Sequence, residues 1–120
     1  TLLYITHDLS TARYFVERVL VMYSGKIVEQ SDVGDLVNGP LHPYTKALIA
    51  AIPDPDPANS GIAKDIPPGE PPNLLNPPSG CRFHPRCPAF IEGLCEVKEP
   101  PGFEPEPGHI VACWLYQSDR

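Results

Sequence analysis

Four cysteines, Cys81, Cys87, Cys95 and Cys113, stand in the last third of the chain at the spacing C-x5-C-x7-C-x17-C. Thiolates are strong metal ligands, and four of them satisfy either one tetrahedral zinc ion or one iron–sulfur cluster. The spacing is neither the paired C-x2-C of a zinc ribbon nor the C-x2-C-x2-C run of a bacterial ferredoxin, and it does not separate iron from zinc. His84 and His109 lie in the same stretch, and either could replace a sulfur in a zinc site. With four sulfurs counted, both are expected as surface groups or as supports behind the ligands. Two readings need no metal: the cysteines pack as small apolar side chains, or they pair into two disulfides.

The segment that carries them favours ligation. Pro85, Pro88, Pro100, Pro101, Pro105 and Pro107 rule out any long helix or interior strand there. Ligation supplies folding free energy that such a segment cannot gain from burial. Phe83, Phe90, Ile91, Leu94, Val111 and Trp114 are the apolar side chains expected to shield the bound group.

Ahead of the cysteines, Thr1 to Thr6 is apolar and β-branched, which predicts a central strand of a parallel sheet, buried on both faces. Asp8 is a natural N-cap for a helix from about Leu9 to Glu17, whose apolar stripe is Leu9, Ala12, Tyr14, Phe15 and Val16. Val19 to Tyr23 and Lys26 to Glu29 read as a hairpin closed by Ser24-Gly25. Ser31 or Asp32 can cap a short helix that Asn38-Gly39-Pro40 stops. Another helix is predicted from Pro43 to Ala51, with proline in its first turn and Pro53 ending it. Pro53 to Ser79 reads as an extended linker that wraps a surface. The fold class is therefore α+β, divided into residues 1–39, 40–79 and 80–120.

Composition narrows the function. Seventeen prolines in 120 residues are about three times average usage, roughly 5%. Net charge is −6 without a basic cluster, which argues against nucleic acid as a partner. The longest apolar runs are far short of the ~20 residues of a membrane span. Thr1 opens into an apolar strand without a charged leader, so a cytosolic compartment is expected, where cysteines serve as metal ligands more often than as disulfides. His7 stands at the carboxyl end of the first strand, where ligands of open α/β sheets gather, although a lone histidine in a strand-to-helix turn is most often only a polar turn residue.

The residues from Thr1 to Gln30, TLLYITHDLSTARYFVERVLVMYSGKIVEQ, closely resemble the end of an ABC-transporter ATPase domain, from the strand bearing the switch histidine to the hairpin after it. That resemblance implies that His7, with Asp8 beside it, contacts the γ-phosphate of ATP and links it to the opposite subunit of an ATPase dimer. GPLHPYTKALIAAIP, with its His42-Pro43-Tyr44-Thr45, resembles the region after the ATPase core in the ATP-binding subunits of oligopeptide and dipeptide importers. Read from the residues alone, HPYT is a helix start in which Tyr44 packs. GCRFHPRCP and EPGHIVACWLY resemble the tail of the same subunits. In some members that tail is associated with a four-iron four-sulfur cluster, which by resemblance assigns Cys81, Cys87, Cys95 and Cys113 as its ligands.

The resemblance further implies transmembrane permease subunits and a second ATPase subunit as partners, on the cytoplasmic face of the membrane. Its ATP and magnesium belong to the complete subunit. A phosphate loop, an acidic magnesium strand, a Q loop, an LSGGQ-type signature and a catalytic glutamate have no match in these 120 residues. The chain is thus expected to be a C-terminal part of such a subunit, inactive as an ATPase by itself and prone to dimerise through the exposed edge of Thr1 to Thr6 or through its apolar faces. A free-standing metal-binding interaction or electron-transfer module is the reading from another class.

Overall fold

A tight hairpin organises the chain. Ser24 and Gly25 both take positive φ, 51° and 83°, the pairing that a type I′ turn needs and that matches the twist of its strands. They join strand β1 (Arg18–Tyr23) to strand β2 (Lys26–Asp32). A register shift between Val21 and Met22 lets Val21, Tyr23 and Val28 all turn to one buried face. The hairpin is thus the predicted one, with β2 three residues longer than expected. The computed structural model describes residues 2–6, 9–51 and 74–117.

Two helices follow the hairpin, close to the predicted bounds. Helix α2 (Val33–Asn38) starts at Asp32, whose side chain makes no cap hydrogen bond and instead lies 3.3 Å from Arg18 Nη1. Helix α3 (Pro43–Ala50) has proline at its first position, where no N–H is required. A shorter helix, α1 (Leu9–Ala12), precedes the hairpin.

Strands β3 (Phe103–Glu106) and β4 (His109–Val111) come from the cysteine tail. They complete a four-stranded antiparallel sheet in the order β1-β2-β4-β3, with Glu29 opposite Val111 and Gln30 opposite Ile110. The hairpin and the tail therefore share one sheet. They also share a core, in which Val21, Tyr23, Val28 and Leu36 pack against Phe83 of the tail.

Three expectations are corrected. Residues 2 to 6 form no strand, and Leu2, Leu3 and Ile5 are 82%, 80% and 87% exposed. A strand buried on both faces needs hydrogen-bonded neighbours, and no described strand lies beside this segment. The sheet that does form is antiparallel, and the edge proposed for dimerisation is absent from residues 2–6. The first helix stops at Ala12 rather than near Glu17, leaving Tyr14 and Phe15 exposed, because one turn of helix presents too short a stripe to bury. Finally, the prolines do not exclude an interior strand. They fall on β3 and the turn at Pro107, while His109–Val111 is free of proline and pairs on both sides. Asp8 and most of the Pro53–Ser79 linker lie outside the described residues.

Candidate metal centre

Three separate loops bring the cysteines to one pocket, lined by Cys81, Cys87, Cys95 and Cys113 with Phe83, Ile91 and Trp114 among its walls. No disulfide joins them. Gly80 sets the closest approach, since at its φ of +69° a Cβ would stand 2.2 Å from the Cys95 carbonyl oxygen. Only glycine fits such an approach without displacing backbone. The Cys81 N–H then donates to that same oxygen at 2.7 Å, and Ser79 Oγ donates to Glu96 O at 2.6 Å. Cys87 follows the 3-10 turn His84–Arg86, and Cys113 leads directly from β4 into the turn Trp114–Tyr116.

Each sulfur also accepts a backbone hydrogen bond. Phe83 and His84 donate to Cys81, Ala89 to Cys87, Leu115 to Cys113, and Ile91 to Cys95 Sγ at 3.4 Å. A neutral thiol is a weak acceptor and a thiolate a strong one, so donors aimed at all four sulfurs suit a bound, deprotonated set. Burial acts in the opposite sense on the free thiols. It raises the thiols of Cys81 and Cys87 and pushes Cys113 up to about 11, with the neighbouring cysteines adding to the rise. The thiols of Cys81, Cys87 and Cys113 are therefore held protonated at neutral pH, and ligation would release those protons.

Four cysteines lining one pocket are a donor set of the kind that zinc and iron–sulfur clusters both accept. Among the described residues no three His, Cys, Asp or Glu side chains stand close enough to share one metal ion. Tetrahedral zinc at about 2.3 Å from each thiolate would require sulfurs about 3.8 Å apart.

The other predicted residues are partly as expected. Phe83, Ile91 and Trp114 line the pocket, whereas Val111 is buried in the sheet and Phe90 is 42% exposed. His84 is half-buried at the pocket wall and donates from Nδ1 to the Cys81 carbonyl at 2.8 Å. His109 is neither a surface group nor at the pocket. It is 1% exposed, with Nε2 donating to Glu29 Oε1 at 2.5 Å. His7 lies outside the described residues.

Glu29 was not legible as a key residue. Its carboxylate is buried in β2 and also accepts the N–H groups of Leu41 at 2.8 Å and His42 at 2.9 Å. One side chain thus ties together the hairpin, the start of α3 and the tail strand. No signal in the alternation of KIVEQSD marks it, because the reason for its burial is a strand eighty residues away. Around the same point, His42 Nδ1 accepts from the Tyr44 N–H at 3.0 Å and so caps α3. Tyr44 packs as expected, its ring 4.6 Å from Tyr23 and 5.5 Å from Phe83. Burial drives His42 down to about 4, against the smaller raising effect of Glu29.

The chain belongs to the family described as the C-terminal region of oligopeptide/dipeptide transporters, whose pattern matches residues 28–95. Among its relatives is the dipeptide transport ATP-binding protein DppD of Caldanaerobacter subterraneus subsp. tengcongensis, 42% identical over 100% of this chain and 36% of the relative. A protein of Sinorhizobium fredii named as a peptide ABC transporter ATP-binding protein is 48% identical over 93% of this chain and 31% of its own length. One of Brucella ovis, named as a peptide import ATP-binding protein, is 45% identical over 94% of this chain and 35% of its own. The chain spans about a third of the length of the curated relatives it matches. No helix of the described residues is long and apolar enough to cross a membrane.

Proposed function

We propose that this chain works within the ATP-binding subunit of a peptide ABC importer, and that its tail holds a four-iron four-sulfur cluster on Cys81, Cys87, Cys95 and Cys113. The family and the names of its relatives support the first part. The second rests on one observation: four cysteines from three loops line a single pocket, each sulfur facing a backbone donor.

Within that reading, His7 contacts the γ-phosphate of magnesium-bound ATP in the whole subunit. Permease subunits and a second ATPase subunit are the partners, at the cytoplasmic face of the membrane. A second copy of the chain is a further partner, through the exposed Leu2, Leu3 and Ile5. The cluster's role is structural or regulatory. When bound it supplies iron–thiolate bonds that cross-link loops the hydrogen bonds alone hold at few points. The chain's own residues set the frame: Gly80 and Ser79 seat Cys81 against Cys95, the backbone donors favour thiolate, and Phe83, Ile91 and Trp114 exclude water.

Metal and sulfide analysis with visible absorption, on protein purified without oxygen, tests the cluster. Four iron and four sulfide per chain are expected. One equivalent of zinc without iron contradicts the iron–sulfur reading, and two disulfides with no metal contradict any metal reading. For His7, His7→Ala in the whole subunit should sharply reduce ATP turnover while leaving its melting temperature nearly unchanged.

A further inference from the structure

His42 has two ring nitrogens with different fates. Nδ1 accepts from the Tyr44 N–H at 3.0 Å. An acceptor nitrogen carries no proton, so the neutral ring must carry its hydrogen on Nε2. That Nε2 is buried and has no partner, although the side chain is only 1% exposed. A buried N–H without a partner is costly and calls for an explanation. Its position offers one. His42 is among the residues that line the four-cysteine pocket, with Pro43 next to it.

We infer that His42 Nε2–H donates a hydrogen bond to a sulfur of the centre bound in this pocket, making the first residue of HPYT both the cap of α3 and a positioning residue for the cluster. The inference rests on the cluster reading above. Sulfur ligands and bridging sulfides are hydrogen-bond acceptors, and become better ones as a cluster gains an electron. No other described side-chain donor on the pocket wall is both buried and unpartnered: His84 is engaged with the Cys81 carbonyl and Trp114 Nε1 with Lys98 O at 2.9 Å. The same geometry couples the two ends of the fold, since the His42 N–H is held by Glu29, which also binds His109 of β4. A change at the cluster is thereby transmitted to the start of α3 through one ring.

Two substitutions separate the ring's two jobs. His42→Asn keeps a short acceptor able to cap the helix but cannot reach the pocket, whereas His42→Gln places an amide N–H near the Nε2 position and loses the cap acceptor. The test reconstitutes the full chain with iron and sulfide under anaerobic conditions and measures iron content and the reduction midpoint of each variant. His42→Asn is expected to bind the cluster with a lower midpoint, about a tenfold change in the reduction equilibrium, which is about 59 mV for one electron. His42→Gln should stay near the wild-type midpoint while melting earlier. An unchanged midpoint in His42→Asn overturns the inference, as does an equal drop in both variants. Should His42→Asn fail to fold, proton NMR of the reduced wild type decides instead: an exchangeable His42 ring proton carrying a cluster-induced shift is expected, and an unshifted one overturns the inference. A wild-type chain that takes up no iron at all fails the cluster reading, a result distinct from these.

Discussion

The two ends of the described chain make opposite use of apolar residues. Leu2, Leu3 and Ile5 are strongly β-forming in sequence and lie exposed without a strand, whereas Phe83 and Trp114, set among prolines, are 1% and 9% exposed. Burial therefore follows available partners rather than local propensity. The front segment has no neighbouring strand to complete its hydrogen bonds. The tail is pinned by side chains instead: Trp114 Nε1 to Lys98 O, Tyr116 Oη to Leu41 O at 2.7 Å, His109 to Glu29, and Arg82 to the Ser24 carbonyl. A loop-rich segment with few ladder bonds can be ordered by such ties and by ligation.

Breaking the tail at its centre should have the largest effect. Cys113→Ala removes a proposed ligand, and iron retention should fall by more than the roughly 10–100-fold typical of losing a group behind a ligand, read as iron per chain after gel filtration. Next in size is Glu29→Ala, which strands the buried His109 and the N–H groups of Leu41 and His42. We expect it to cost about 3–5 kcal/mol in urea unfolding of the metal-free chain, as breaking other buried polar pairs does.

Acid probes the same junction. His42 titrates at 6.5 when unfolded and about 4 when folded, so between those values the unfolded chain binds the extra proton. Stability should be flat above pH 6.5 and fall as pH drops toward 4, by up to about 3 kcal/mol. Urea midpoints of wild type and His42→Asn across that window check it, the variant losing this part of the slope. Gly80→Ala, forced to a positive φ against the Cys95 carbonyl, should cost about 2 kcal/mol. Smallest of all, Leu3→Ser at the exposed front should change unfolding by less than about 0.5 kcal/mol.

What the sequence made legible follows the same contrast. The hairpin, α2 and α3 are written in local signals: Ser24-Gly25 at the turn, Gly39 after Asn38, and Pro43 at the first helical position. Cys81, Cys87, Cys95 and Cys113 are conspicuous by type, and the structure brings all four to one pocket. Glu29, His109 and β4 were hidden because their roles come from pairing across some eighty residues, which no local period records. The front strand was misread for the converse reason, since its pattern is that of a strand whose neighbours this sheet does not contain.

Residue-resolved hydrogen exchange, on the anaerobic chain loaded with iron and sulfide and again after chelation, tests the central claim most directly. If ligation orders the tail while the sheet orders itself, stripping the metal should cost the amides of Cys81, Cys87 and Cys95 most of their protection. Val21, Val28 and Val111 should keep theirs. Equal protection of the cysteine loops in both states would contradict the account, as would collapse of the hairpin together with them.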